Sequence, residues 1–277
     1  HVGRTIRNRP RDEEHRAVFA EILELAQDEQ VDAVLVTGDI FHDRRPPLSA
    51  QELVSETLAR FAERRIPVLM IAGNHDDPAV LDTLKPLAAL AGVHIVSAVS
   101  ENLADLIIPI AGQNGERALI GCLPYLHPHQ VLSVADGAGL SAEVRLKAYQ
   151  AKTAVYLRAL EETIIRQDPQ AVSLLLSHVD ILGREYGGGE WRSNVYSVPP
   201  AAIPALVQYV ALGHIHKPQP IHEARTKARY AGSPIQMDFG ERNHHKSVTL
   251  VEVRAGEPAR VQEILLNAVR PLLRHTG

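Results

Sequence analysis

The sequence predicts an α/β fold, a four-layer sandwich in which two mixed β-sheets stack face to face with helices outside. Three observations predict it. Short aliphatic runs rich in β-branched residues alternate with stretches of helical period, the pattern of strands joined by helical crossovers. Four of these runs end in segments bearing Asp, Asn or His: GDIFHD at 38–43, AGNHDD at 72–77, LLSHVD at 175–180 and ALGHIHKP at 211–218. Beyond Gly213 the helical period fades and short strands remain.

Taken in order, residues 12–28 place Val18, Phe19, Ile22, Leu23, Leu25 and Ala26 at helical spacing after the acidic turn Asp12, Glu13 and Glu14. Residues 33–37 (AVLVT) are too short for a helix and end in Gly38 and Asp39, so they predict a strand. Helical period returns at 49–65, a strand follows at 67–71 and empties into Gly73 and Asn74, and a short helix occupies 81–91. Strands are expected at 94–96, 106–110 and 118–123, the last two divided by the turn residues Gln113, Asn114 and Gly115. A long helix at 141–166 leads to a strand at 172–176. Residues 183–197 contain three consecutive glycines and no apolar period, which predicts an exposed, mobile loop. Strands at 229–231, 247–253 and 260–265 complete the chain, with a turn at 255–258.

A chain of 277 residues with 45% hydrophobic content can bury a substantial core, and one domain over 1–277 is expected. Cys122 is the single cysteine, which excludes a disulfide framework and fits a reducing cytoplasm. No apolar run is long enough to cross a bilayer and no signal peptide is evident, so a soluble cytoplasmic protein with no membrane association is expected. The net charge of −4 and pI near 6.4 offer no overall attraction to nucleic acid. Local positive charge exists at Arg4, Arg7, Arg9 and Arg11, either a solvated basic segment or a contact for a polyanion.

The four polar segments are where chemistry is expected. Carboxylate, amide and imidazole arriving from separate strand ends can hold two divalent cations side by side, the arrangement used for in-line attack on phosphate esters. Gly38 and Gly73 let the backbone turn sharply, so that Asp39 and Asn74 point into a shared cleft. A carboxylate can bridge two cations, which makes Asp39 the bridging ligand. His214 and His216 fall on neighbouring metals, and Asn74 and His178 complete the ligands of one of them. The set suits manganese, iron or zinc better than copper or calcium. His75 follows a ligand directly and, as an imidazole, can protonate the departing oxygen. His15, His94, His222 and His275 lack such a context and read as structural or surface residues. His127 and His129 read as a proline-flanked surface loop, and His244 and His245 as lying outside the metal site.

In this order the segments resemble the calcineurin-like metallophosphoesterase superfamily, whose pattern is D-x-H, GD-x-x, GNHD, a distal H and GH-x-H. The opening HVGRTIRNRPRDEEHR, the extra His42 in GDIFHD and the segment YAGSPIQMDFGE at 230–241 are similar to the SbcD-type nucleases of that superfamily. The resemblance implies the superfamily's fold and two metal ions, taken here as Mn2+. It implies His1, Asp39 and His216 at one metal and Asp39, Asn74, His178 and His214 at the other. It further implies catalytic roles for His75 in transition-state support and His42 in placing a DNA strand. The implied activity is exonuclease and single-strand endonuclease action on DNA during end processing and repair, with an SbcC-type ATPase as partner and a homodimer as assembly. The family pattern opens with Asp two residues before its His, whereas this sequence opens on His1, so the metal taking His1 is expected to be the less tightly held. Capping and ATPase-binding regions of the family are expected to be absent from these 277 residues. Two other functions remain compatible with the residues: hydrolysis of small phosphodiesters or phosphomonoesters on the same fold, and a catalytically impaired scaffold that binds DNA.

Overall fold

The basic segment at the start is a folded hairpin. Strands β1 (Thr5–Ile6) and β2 (Arg9–Pro10) pair antiparallel, and Arg7 and Asn8 between them have φ of 48° and 61°. Positive φ at both central residues is what a two-residue type I′ turn needs. The computed structural model describes residues 1–131, 141–186, 196–267 and 270–273. Residues 187–195, the middle of the expected glycine-rich loop, and His275 lie outside the described residues.

Helix α1 (Asp12–Asp28) has the expected bounds, its acidic first turn facing the positive end of the helix dipole. Strands β3 (Val34–Val36), β4 (Val68–Ile71) and β5 (Val93–Val96) form a three-stranded parallel sheet in that order, joined through α2 (Leu48–Glu63) and α3 (Pro78–Leu90). Helix α3 begins before its expected position because the Asp77 side chain accepts from Ala79 N at 2.9 Å and Pro78 fits the first turn. Strand β4 shows how the layers are made. Val68 and Met70 join the core beneath α1, α2 and α3, while Leu69 and Ile71 join the core shared with the second sheet. A strand's period of two therefore distributes one apolar run between two cores.

The second sheet contains β6 (Ile107–Ala111), β7 (Arg117–Leu123), β8 (Val172–His178), β9 (Tyr209–Gly213), β10 (Gln219–Pro220) and β11 (Lys227–Tyr230). Its order is β10-β11-β9-β8-β7-β6, with antiparallel edges around four parallel strands. The short helix α4 (Pro128–Val131) precedes α5 (Ala142–Gln167), which Ser141 caps and which packs Leu160 and Ile164 over Gly121 of β7. The two-sheet α/β architecture read from the sequence is thus the fold adopted. The larger sheet is mixed, whereas the smaller is parallel throughout because each of its crossovers is a helix. Strands β12 (Ser247–Glu252) and β13 (Arg260–Leu265) form a separate hairpin. Among the described residues, no helix is long and apolar enough to cross a membrane.

Strand β8 runs two residues past its expected end, to His178, which pairs in register with Gly213 of β9. The carboxyl ends of β3, β4, β8 and β9 consequently gather in one place, where open α/β sheets form their sites. The burial contrast is testable. Leu69 is fully buried and Leu87 on α3 is 75% exposed, so Leu69→Ala should lower stability by about 2–5 kcal/mol and Leu87→Ala by less than about 0.5 kcal/mol in urea unfolding.

Candidate metal centre

Asp39 leaves β3 with φ of 53° after Gly38 at 95°, and His214 leaves β9 with φ of 99°. Positive φ at a non-glycine residue costs about 1–3 kcal/mol and persists only where the surrounding structure holds it. Gly213 is needed for space: a Cβ there would lie 1.9 Å from Thr37 O and 2.8 Å from His178 Nδ1. Gly73 likewise serves close approach, since its Cβ would meet Asp39 Oδ1 at 2.1 Å; it is not among the residues with positive φ, contrary to the expectation of a sharp turn.

The six side chains expected to ligate metal converge. On one side, His1 Nε2 lies 2.9 Å from His216 Nε2 and 3.4 Å from Asp39 Oδ2. On the other, Asn74 Oδ1 lies 3.0 Å from His178 Nε2 and 2.8 Å from His214 Nδ1, and His178 Nε2 is 3.4 Å from Asp39 Oδ2. Asp39 bridges the two groups through a single oxygen, because Oδ1 accepts the His75 backbone N–H at 2.9 Å. Donors about 2.1 Å from a shared cation are separated by about 3.0–3.4 Å at octahedral or tetrahedral angles. The observed spacings of 2.8–3.4 Å therefore fit a divalent ion on each side of Asp39.

The electrostatics fit as well. Burial alone would raise the Asp39 carboxyl, but His178 and His75 outweigh it and hold the group well below the ordinary carboxylate range. For His178, burial pushes the imidazole down, and Asp39 with the Thr37 carbonyl outweighs it, so the direction is upward. Burial pushes His214 down to about 3, aided by His178, and leaves a neutral ring able to ligate. The rings are also oriented from behind: His178 Nδ1 is 2.6 Å from Thr37 O, and His216 Nδ1 is 2.9 Å from Glu241 Oε1. Such contacts direct the opposite nitrogen towards a metal.

His75 and His42 stand at the first of these groups. His75 Nδ1 donates to His42 O at 2.7 Å, and the ring meets His1 edge-on at 4.7 Å and stacks on His42 at 5.5 Å. Burial, with the Arg4 guanidinium, pushes His42 down to about 4. Tyr125 covers the second group, stacked on His214 and edge-on to His178. Next to it His127 Nε2 is 3.1 Å from Arg44 Nη2, which puts His127 on the rim of the site; His129 stacks on it. His15 is buried against Phe19, as a structural residue, and His94, His222 and His245 are exposed.

The basic hairpin needs correction as a polyanion contact. Arg11 is buried, its guanidinium committed to Glu14 and to Gln236 O, so it is closed to any outside partner. Arg4 donates from Nε to Met237 O at 2.9 Å while Nη1 stays 3.4 Å from His42 Nε2, and Arg7 lies over the Phe239 ring. Arg7 and Arg9 are exposed.

Asp76 is the chief residue that the sequence reading missed. It is fully buried and accepts from Phe41 N at 2.9 Å, Gly73 N at 2.8 Å and Ile40 N at 3.2 Å, tying the loop after β3 to the loop after β4. Burial and Asp39 raise its carboxyl, and these backbone N–H groups oppose the shift. Its place beside Asn74 and His75 in AGNHDD was the available signal.

The chain belongs to the calcineurin-like phosphoesterase family, whose profile matches residues 12–218; its members are metal-dependent phosphoester hydrolases. Within that family it is similar along its length to the SbcD-type nucleases. It is 35% identical over 278 residues to the SbcD component of the SbcCD nuclease of Bacillus subtilis (strain 168), an alignment that covers 99% of this chain and 69% of that protein. The SbcD protein of Rhodobacter capsulatus is 32% identical over 289 residues, again 99% of this chain and 69% of the relative. That of Escherichia coli (strain K12) is 28% identical over 279 residues, 98% and 68%.

Replacing Asp76 by Ala strands three amide donors. At about 1–3 kcal/mol for each unsatisfied group, Asp76→Ala should lose about 3 kcal/mol or more in urea unfolding and should also lower metal content measured by elemental analysis.

Proposed function

We propose that the chain is a two-metal DNA nuclease, acting as exonuclease and single-strand endonuclease in DNA end processing with an SbcC-type ATPase. The observation that carries this reading is the single Asp39 oxygen lying 3.4 Å from one imidazole of each donor group. Two divalent cations there, with manganese the choice for this oxygen- and nitrogen-rich set, would neutralise phosphate oxygens and align an in-line displacement. One cation falls to His1, Asp39 and His216, and the other to Asp39, Asn74, His178 and His214. His75, anchored through Nδ1, keeps its opposite ring edge for the departing oxygen. His42, held neutral next to Arg4, guides the strand into the cleft. The names of the relatives support the nuclease reading and the ATPase partner. A buried Cys122 and the lack of any apolar membrane-crossing helix among the described residues fit a cytoplasmic role.

For DNA, positive charge is available from Arg4 beside His42, Arg44 beside His127 and the exposed Arg7 and Arg9, with Arg11 withdrawn into the fold. That withdrawal favours a second reading, hydrolysis of a small phosphodiester, which needs fewer contacts beyond the metals. Salt dependence separates the two. Polyanion binding weakens steeply with salt through counterion release, whereas a small ester shows little change.

The experiment is manganese-supported cleavage of linear duplex DNA by the parent chain and two variants. His178→Ala should lose both cleavage and one class of metal site. His75→Ala should retain metal and DNA while turnover falls by about 10²- to 10⁴-fold. Unchanged metal content in the first variant, or full turnover in the second, would remove the residue from its assigned role.

A homodimer is part of the proposal, and the two helices that flank the site limit where it can form. Leu53, Val54 and Phe61 of α2 are buried in their own core, and Leu58 and Leu84 are half-buried. The strongly exposed leucines on these two helices are Leu48 at the start of α2, 69% exposed, and Leu87 and Leu90 of α3, 75% and 87% exposed, and the pair on α3 is taken as the contact. Sedimentation at tens of micromolar should show dimer for the parent and monomer for Leu87→Glu/Leu90→Glu; a monomeric parent would dismiss the assembly.

A further inference from the structure

Behind His216 lies a buried ion pair that ligates nothing itself. Glu241 is completely buried and the Lys246 side chain is 3% exposed, with Nζ 2.6 Å from Glu241 Oε2. Glu241 Oε1 accepts from His216 Nδ1 at 2.9 Å, and Oε2 accepts from Met237 N at 3.0 Å. Lys246 also donates to His216 O at 3.0 Å and to Ser233 Oγ at 2.8 Å, so it holds both the backbone and the orienting carboxylate of one imidazole.

We infer that Glu241 is a positioning residue for His216 and that the Glu241–Lys246 pair sets the affinity of the cation position shared by His216, His1 and Asp39; this rests on the reading that His216 is a ligand. An ionised carboxylate can only accept, so it draws the imidazole proton to Nδ1 and leaves the lone pair on Nε2. That nitrogen faces His1 Nε2 at 2.9 Å. The other cation position is arranged differently, since His178 Nδ1 rests on a neutral backbone carbonyl, Thr37 O. A buried ion pair is weak support for stability, because an apolar pair of similar volume often serves as well. Its presence behind one imidazole is therefore explained better by what it does to that imidazole.

The segment carrying Glu241 is itself buttressed by the basic hairpin. Arg11 binds Gln236 O, Arg4 binds Met237 O, and Arg7 covers Phe239, the first residue of the one-turn helix Phe239–Glu241. Three of four arginines that read as a polyanion contact thus hold the loop that orients His216.

Glu241→Gln reverses the polarity at one point. Met237 N requires the amide oxygen, which turns the amide nitrogen towards His216 Nδ1 and favours the tautomer protonated at Nε2. Pairing this change with Lys246→Met removes the stranded lysine charge. Manganese titration by calorimetry and urea unfolding should be run on the parent, His216→Ala, Glu241→Gln and the double variant. The class of site lost in His216→Ala should weaken by about 10- to 100-fold in both Gln variants, while the double variant recovers the parent's urea midpoint without recovering affinity. Parent-like manganese affinity in the double variant would overturn the inference and reduce the pair to a structural element. Parent-like affinity in His216→Ala would instead overturn the ligand assignment, and the inference with it.

Discussion

The negative charge of Asp39 sits where water hardly reaches, and the surrounding structure is arranged to keep it there. A buried carboxylate without partners would take up a proton. Here Oδ1 is satisfied by the His75 amide, and Oδ2 faces imidazoles from two separate chain segments. Removing the side chain would leave the two donor groups with no atom in common. The side chain is thus both the electrostatic centre of the site and the joint between its halves.

Holding that centre requires unfavourable backbone. Asp39 and His214 occupy conformations that L-residues avoid, and Gly213 brings β9 into contact with the carbonyl of Thr37. The cost, of the order of a few kcal/mol, is offset by two apolar cores meeting at β4, where alternate side chains enter each. Asp76 provides the local tie, since one carboxylate binds amides from both ligand-bearing loops. Rigid strands set the position of the ligands to within a turn, and buried carboxylates set the remainder.

Charge is used twice in this fold, for different ends. Arg4 lies beside His42 at the site, and Arg4 and Arg7 both secure the 236–241 segment. The same groups that read as contacts for a polyanion therefore bear on the geometry of His216. Substitutions in the hairpin would alter metal geometry and charge together, so a loss of activity there would not by itself report on nucleic-acid contact.

The longer strands and helices and the candidate metal-binding segments were legible in the sequence for a simple reason, whereas the short β1, β2, β10 and α4 were not. Apolar period and strand-end Asp, Asn and His are local signals, and four of them in order limit the arrangements open to an α/β chain. Helix α1 has the bounds those signals predict, and the side chains expected to ligate metal come together. What tertiary structure alone decided is which charged residues face inward. Nothing local distinguishes Arg11, sealed beneath Gln236 O, from Arg9 in water, or Glu241, buried behind a histidine 25 residues earlier, from an ordinary loop acid. Burial of a charge depends on a partner arriving from elsewhere in the chain, and that meeting exists only once the sheets have stacked.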